Sequence, residues 1–305
     1  MKLLVTGAAH FNEEQLNTLA SLGFEIIEQK DESAGADIDY SSIDAAVLNG
    51  LFLYHDISEF DNLKFIQLTS AGLDRVPVDD IIADRGIKLF NAKGVYSVPM
   101  AEYAVTGVLA LYKKLNCFYD NQKNHSWIKD RTVKELAGST VAVIGCGSVG
   151  TECAKRFKAF DIYVIGVDLI KPEDSSFDEF VFIDGIENAL PKADVVILTL
   201  PLTPQTEGMF GKKLFSCFKK DSVLVNIARG KIVNEADLIN ALNNGSLGGA
   251  VLDVFENEPL EDNSELWNMK NVIVTPHNSF VSPKNSERLF NLTYKNLKEF
   301  VEEEK

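Results

Sequence analysis

The sequence predicts an α/β protein of two domains, each a parallel sheet covered by helices, the second a doubly wound sheet. Two series of short apolar runs alternating with amphipathic stretches predict it, one over residues 1–90 and one from Ser139 onward. Parallel strands buried on both faces read as continuous Val/Ile/Leu runs, and the crossovers between them are helical. A length of 305 residues suits two domains, because single cores stop growing at about that size.

In the first series Leu3–Thr6, Phe24–Glu28, Ala45–Asn49, Phe65–Thr69 and Ile87–Phe90 read as strands, with Asn12–Leu22 and Val78–Arg85 as intervening helices. No glycine fingerprint accompanies these strands, so this smaller domain is not expected to hold a nucleotide. Two of its loops are candidates for function. Ser70-Ala-Gly-Leu-Asp74 follows a strand and could present backbone N–H groups to a carboxylate. Asn49-Gly-Leu-Phe-Leu-Tyr54 carries Phe52, Leu53 and Tyr54, which could line an apolar pocket. Both also read as ordinary βα loops with buried aromatics.

Residues 91–98 read as a hinge. One long helix is expected from Pro99 to Phe118, with proline in its first turn where the missing N–H costs nothing. Glu102 in this otherwise apolar stretch reads equally as an ion-pair partner or as a group facing a cleft. The segment through Trp127 carries aromatics that could pack against another subunit.

The second series has strand candidates at Thr140–Ile144, Ile162–Val167, Val195–Leu200, Val223–Asn226, Ala250–Leu252 and Val272–Thr275. Pro283–Val301 then reads as one amphipathic helix that could return to the first domain. The first strand of the series runs into Gly145-Cys-Gly147-Ser-Val-Gly150, three glycines at G-x-G-x-x-G spacing before a helical pattern. Gly145 permits a tight turn, Gly147 the approach of a pyrophosphate to bare backbone, and Gly150 close packing of helix on strand. The unpaired N–H groups of the following helix suit the diphosphate. Asp168 ends the next strand, eighteen residues after Gly150. An acid there bonds the adenosine ribose hydroxyls and repels a 2′-phosphate, which points to NAD rather than NADP.

Polar residues recur at the carboxyl ends of later strands, the edge where open α/β sheets bind ligands. They are Asn226-Ile-Ala-Arg229-Gly230, Asp253, Glu258 and His277. An arginine, a glutamate and a histidine beside a nicotinamide suit hydride transfer to a ketone. The planar fork of Arg229 can hold a carboxylate and polarise a carbonyl. His277 can give a proton to the nascent alkoxide, and Glu258 can orient the imidazole and stabilise its cationic form. His10, His55 and His125 have no such partners in the sequence. His10 and His55 follow strands and could reach a cleft, but read better as structural or surface residues.

Composition excludes several classes. Apolar content is 46%, charged content 25% and formal net charge −15, so nucleic acid and anionic membranes, which need a basic face, are not expected partners. The N-terminus lacks the apolar segment of a signal peptide, and no apolar run approaches membrane-spanning length. The scattered Cys117, Cys146, Cys153 and Cys217 suit a reducing cytoplasm. No metal site is expected, since HExxH and clustered Cys/His are missing, as are GxxxxGK[ST] and G-x-S-x-G.

Taken in order, Gly145-Cys-Gly-Ser-Val-Gly150, Pro201-Leu-Thr-Pro-Gln-Thr206, Asn226-Ile-Ala-Arg-Gly230, Leu252-Asp-Val-Phe-Glu-Asn-Glu-Pro259 and Thr275-Pro-His277 resemble the D-isomer-specific 2-hydroxyacid dehydrogenase family. Ser70–Asp74 and Ala101-Glu-Tyr resemble it too, so the likeness covers nearly the whole chain. It implies a Rossmann nucleotide-binding domain at 99–280 and a smaller, discontinuous flavodoxin-like substrate domain at 1–98 and 281–305, with the active site between them. The chemistry implied is NAD-dependent interconversion of a 2-oxoacid and its D-(R)-2-hydroxyacid. By position Arg229 would bind substrate, His277 would be the acid/base and Glu258 its partner. Ser148 and Val149 would lie on the pyrophosphate, Leu200, Pro201 and Thr206 along the cofactor, and Asp253 at the nicotinamide carboxamide. Ile227, Ala228, Arg229 and His277 would also touch cofactor. Ala71, Gly72 and Phe52 would meet substrate. Homodimers built through the nucleotide domain are common in the family.

The chain departs from the family at Asn278-Ser-Phe-Val281, where relatives carry small residues and a glycine, and at Cys146, which replaces an aliphatic residue. A chain ending at 305 is expected to lack the C-terminal regulatory domains of some phosphoglycerate dehydrogenases. Substrate choice stays open: Phe52, Leu53 and Tyr54 suggest an uncharged pocket, while Arg75 and Lys93 could reach a phosphate or second carboxylate. The competing reading is an NAD(H)-sensing binding protein of the same fold that acts through partners.

Overall fold

The computed structural model describes residues 1–34, 38–73, 75–76 and 85–304. The chain divides into two compact units, Met1–Tyr96 with Ser282–Lys305, and Ser97–Val281. Among the described residues no helix is long and apolar enough to cross a membrane.

The first unit contains β1 (Lys2–Thr6), α1 (Glu13–Ala20), β2 (Glu25–Gln29), β3 (Ala45–Leu48), β4 (Phe65–Leu68) and β5 (Lys88–Phe90). All pairs are parallel, in the order β2-β1-β3-β4-β5, the 2-1-3-4-5 arrangement of flavodoxin-like sheets. Alternate side chains fill two cores: Leu4, Ala46, Leu48, Ile66 and Leu68 on one face, and Leu3, Val5, Ala45, Val47 and Phe65 on the other. The start of α1 is fixed by a capping box, in which Asn12 accepts from the Gln15 N–H at 2.9 Å and Gln15 from the Asn12 N–H at 3.0 Å. The expected helix over 78–85 lies outside the described residues except for Arg85.

The second unit contains α2 (Ser97–Tyr112), α3 (Leu115–Lys123), β6 (Thr140–Ile144), α4 (Ser148–Lys158), β7 (Tyr163–Asp168), β8 (Glu179–Phe182), β9 (Val195–Leu198), α5 (Lys212–Phe215), β10 (Val223–Asn226), α6 (Glu235–Asn243), β11 (Gly249–Leu252) and β12 (Val272–Val274). The sheet order is β12-β11-β10-β9-β6-β7-β8, parallel throughout. Counted from β6 it is the doubly wound 3-2-1-4-5-6 order extended by one strand, so this unit is a Rossmann domain. Ala142, Ile144, Ile165, Val167, Val196 and Leu198 face one core and Val141, Val143, Val164, Val195 and Ile197 the other. Helix α2 lies close on the sheet: a Cβ at Gly107 would stand 2.5 Å from Val251 Cγ1.

After the second unit, α7 (Asn285–Glu303) returns to the first. Leu297, Phe300 and Val301 enter its core, and the buried Asn296 amide donates to Gln67 Oε1 at 2.8 Å.

Two expectations need correction. The single helix over 99–118 is two helices, α2 and α3, broken where Lys114 turns left-handed at φ 52°. The six expected strands of the second sheet are seven: β8 pairs with β7 on the edge and was not foreseen. Its residues Glu179-Phe-Val-Phe182 are half-exposed, so no buried apolar run announces them.

Candidate active site

The glycine turn is built as the spacing requires. Gly145 adopts φ 103°, and a Cβ there would press within 2.8 Å of the Thr199 carbonyl carbon. A Cβ on Gly150 would fall 1.9 Å from Gly145 O, so α4 can meet the strand end only without a side chain there. Beside Gly147 the Cβ position is open, with nothing within 4 Å. Gly147 is the N-cap of α4 and offers no side-chain cap. The first N–H groups of α4 therefore have no acceptor within the helix, and Lys155, Arg156 and Lys158 complement the dipole at its far end. Thr199 Oγ1 donates to Gly145 O at 2.6 Å and fixes the turn from the β9 side.

Asp168 ends β7 with both carboxylate oxygens oriented. Cys146 N–H donates to Oδ2 and Leu169 N–H to Oδ1, each at 2.6 Å. Each oxygen keeps lone pairs for a further donor. The Cys146 side chain packs over Gly166, where a Cβ would lie 2.8 Å from its sulfur. Burial and the neighbouring Asp168 push its thiol up to about 12, so it stays protonated at neutral pH. The loop after β9 is closed by Thr206, whose hydroxyl donates to Pro201 O at 2.7 Å and accepts from Thr203 N–H at 2.8 Å. Leu200 is buried in it. These residues fit a dinucleotide: an open backbone approach at Gly147, orphan N–H groups and an oriented carboxylate.

The remaining site residues leave the ends of three adjacent strands, for Asn226 pairs with Leu252 and Leu252 with Val274. The Asn226 side chain ties the turn that carries Arg229, accepting from Ala228 N–H and donating to Arg229 O, both at 3.1 Å. Ile227 and Ala228 are buried in that turn and Arg229 is half-buried, its Nη1 donating to Ala228 O at 2.8 Å. A Cβ on Gly230 would land 1.9 Å from the backbone of Phe255, so this turn rests directly on the segment leading to Glu258.

Glu258 and His277 form an exposed pair. His277 Nδ1 lies 2.8 Å from Glu258 Oε2, while Glu258 Oε1 accepts from Phe255 N–H at 3.1 Å. Their side chains are 42% and 37% exposed, so the imidazole is oriented yet reachable. With Nδ1 committed to the carboxylate, Nε2 is the nitrogen left for a ligand.

Sequence reasoning missed what holds His277. Asp253 is fully buried, and its carboxylate accepts from Thr275 Oγ1 at 2.5 Å and from the N–H groups of Asn278 and Ser279 at 2.8 Å. The carboxylate thus grips the chain on both sides of His277, whose φ of 51° is unusual for a non-glycine residue. Thr275 gives its one proton to Asp253, so the Tyr103 hydroxyl, 2.5 Å away, must donate to Thr275. Burial pushes Tyr103 up to about 12, which keeps that proton in place. A phenol within an apolar helix was the available signal.

Other candidates lie elsewhere. Phe52, Ala71 and Gly72 belong to the first unit, after β3 and β4. Phe52 packs edge-on to Phe60 at 5.5 Å, and the 70–72 turn is fixed by Ser70 Oγ donating to Gly72 O and Asn91 Nδ2 to Ala71 O; Asp74 lies outside the described residues. Glu102 is 65% exposed with Arg156 at 3.9 Å, a surface ion pair. His55 lies tilted against Tyr40, ring centroids 4.8 Å apart and planes at 54°, and His10 is exposed.

A doubly wound domain with a glycine turn, an acid at the end of the next strand and a histidine oriented by a glutamate fits a nicotinamide-dependent dehydrogenase. Residues 105–279 match the family described as D-isomer specific 2-hydroxyacid dehydrogenase, NAD binding domain. The chain belongs to this family of NAD(P)-dependent 2-hydroxyacid dehydrogenases. A D-3-phosphoglycerate dehydrogenase of Methanocaldococcus jannaschii is 33% identical over 283 residues, 91% of this chain but 53% of that one, so the chain spans about half that relative's length. A D-lactate dehydrogenase of Aquifex aeolicus, solved with NAD and lactic acid, aligns with TM-score 0.80 and 27% identity over 98% of this chain and 95% of that one. An NADPH-dependent glyoxylate/hydroxypyruvate reductase of Sinorhizobium meliloti, solved with NADP and sulfate, aligns with TM-score 0.79 and 29% identity over 98% and 94%.

Proposed function

We propose that the protein is an NAD-dependent oxidoreductase interconverting a 2-oxoacid and its (R)-2-hydroxyacid. The observation that carries this is the reachable His277, oriented by Glu258 at 2.8 Å and set at a strand end two strands along the sheet from the one that leads to Arg229.

Arg229 binds the substrate carboxylate and polarises the carbonyl through its guanidinium. In reduction, His277 Nε2 donates a proton to the carbonyl oxygen as the C–O π electrons move onto it, and in oxidation it takes that proton back. Glu258 keeps Nδ1–H in place and offsets the imidazolium charge. Bound nicotinamide supplies or accepts the hydride at the carbonyl carbon. Gly147, Ser148 and Val149 hold the diphosphate on the N-terminus of α4, with Gly145, Gly150, Leu200, Pro201, Thr206, Ile227 and Ala228 shaping the cofactor channel. Asp168 takes the ribose hydroxyls, and its charge disfavours a 2′-phosphate. Phe52, Ala71 and Gly72 of the first unit stay candidates for substrate contact, on the family resemblance alone. We further infer a homodimer through the second unit, whose Trp127 is 96% exposed with Ile128 and Tyr119 also uncovered; the mass by sedimentation tests this.

The deciding assay follows NADH and NADPH oxidation with pyruvate, hydroxypyruvate, 2-oxoisocaproate, phenylpyruvate, oxaloacetate and 3-phosphohydroxypyruvate. Turnover with NADH above NADPH is expected, falling about 10²–10⁴-fold in His277→Ala, the range of a positioned acid/base, and by orders of magnitude in Arg229→Ala. Undiminished turnover in either variant removes its assigned role, and a preference for NADPH removes the role given to Asp168.

A further inference from the structure

The segment that presents Glu258 is held by side chains. Among the described residues, no backbone–backbone hydrogen bond reaches residues 254–260. Val254 and Phe255 are buried at its start, whereas Asn257 and Glu258 are exposed. The His277 contact apart, Glu256 alone bonds this segment to another element among the described residues: Glu235 N–H donates to Glu256 Oε1 at 2.8 Å. Glu235 is the first residue of α6, so its N–H has no acceptor within the helix, and the helix end favours a negative charge. That end is itself anchored. Asn234 Oδ1 accepts from Asp237 N–H at 2.9 Å, Asn234 N–H donates to Phe210 O at 3.0 Å, and Leu238 is buried.

We propose that Glu256 is a positioning residue for the reaction: by bonding to the start of α6 it fixes the segment that aims Glu258 at His277. The inference rests on the roles given above to Glu258 and His277. The bond from Phe255 N–H to Glu258 Oε1 at 3.1 Å orients the Glu258 side chain within its segment, but does not place that segment against His277. Glu256 supplies the missing tie, and it does so to the helix that residues 230–234 join to the Arg229 turn. Charge pairing does not explain its position. Burial holds the Glu235 carboxyl above its usual range, with the Glu256 N–H opposing and the charges of Glu256 and Glu261 adding to the rise. The Glu256 carboxylate therefore sits beside like charges, and its use is as an acceptor. An uncharged acceptor of the same length can take its place.

The test measures kcat and KM with NADH and whichever of the 2-oxoacids above turns over fastest. It compares the full-length wild type, Glu256→Ala, Glu256→Asp, Glu256→Gln, Glu258→Gln and the Glu256→Ala/Glu258→Gln double variant, each checked for folding by circular dichroism. Glu256→Ala is expected to lower kcat at least about tenfold, since misplacing a catalytic group by about 1 Å costs about 10²-fold, with KM for NADH unchanged. Glu256→Asp, a methylene too short to reach Glu235, loses comparably, and decides the matter should the alanine variant fail to fold. Glu256→Gln retains most of the activity. Added to Glu258→Gln, Glu256→Ala costs much less than it does alone, because residues acting through one network are not additive; a merely structural defect costs the same in both backgrounds. Wild-type kcat in folded Glu256→Ala or Glu256→Asp, a glutamine variant as impaired as the alanine one, or an equal loss in both backgrounds overturns the inference alone. Undiminished turnover in Glu258→Gln, or wild-type failure on every 2-oxoacid, overturns the functional reading, and the inference with it.

Discussion

Asp253→Asn is the sharpest probe of the site's construction, because it changes one buried atom and little volume. The carboxylate accepts Thr275 Oγ1 and Asn278 N–H on Oδ1 and Ser279 N–H on Oδ2. An amide in the same pose can keep the first two on its oxygen, but its NH₂ then faces the Ser279 N–H, donor against donor. A hydrogen bond to a charged group contributes about 1.5–3 kcal/mol, and a buried donor left without an acceptor costs about 1–3 kcal/mol. These overlap, so the expected loss is about 3 kcal/mol. In a unit of this size each kcal/mol lowers Tm by about 2–4 °C, a fall of about 6–12 °C by calorimetry. The same change frees the chain on one side of His277, whose left-handed conformation costs about 1–3 kcal/mol and persists only while its surroundings impose it. If His277 has the proposed acid/base role, misplacing it by about 1 Å lowers kcat about 10²-fold. Thr275→Val removes one donor and should lower Tm by less than Asp253→Asn. Assayed at 20 °C with folding checked by circular dichroism, an Asp253→Asn protein with wild-type Tm and kcat refutes the clamp.

Gly150→Ala and Gly147→Ala should separate packing from cofactor binding. The first puts a Cβ 1.9 Å from Gly145 O and should cost about 1–3 kcal/mol as overpacking. The second meets nothing within 4 Å and should keep the apo Tm while weakening NADH binding by fluorescence; the opposite pattern breaks the account of the turn. At alkaline pH, burial raises Tyr103 and Tyr112 to about 12, above the ordinary value near 10. Between pH 10 and 12 the unfolded chain therefore gives up protons that the folded chain keeps. Stability should fall with rising pH by about 1.4 kcal/mol per unit for each tyrosine. Urea midpoints across that range read the slope, and Tyr103→Phe should make it shallower.

Strands buried on both faces were legible because burial writes itself as apolar runs; Val141–Ile144 and Val195–Leu198 are instances, with no exposed residue in either. The half-exposed edge strand Glu179–Phe182 left no such run. The break at Lys114 was hidden because lysine is a good helix former and neither glycine nor proline marks the place. The arginine, glutamate and histidine were legible through their positions after strands. The Asp253 clamp was not: two of its three donors are backbone N–H groups, which every residue but proline carries and no side chain advertises.

The glycine turn, Arg229 and His277 are tied by one hydrogen-bonded ladder. Residue Ile144, before the turn, pairs with Leu198, Leu198 with Asn226, Asn226 with Leu252 and Leu252 with Val274, which runs directly into Thr275-Pro-His277, held by the Asp253 clamp. The spacing between the glycine turn and His277 is therefore set by strand separations, about 4.8 Å each.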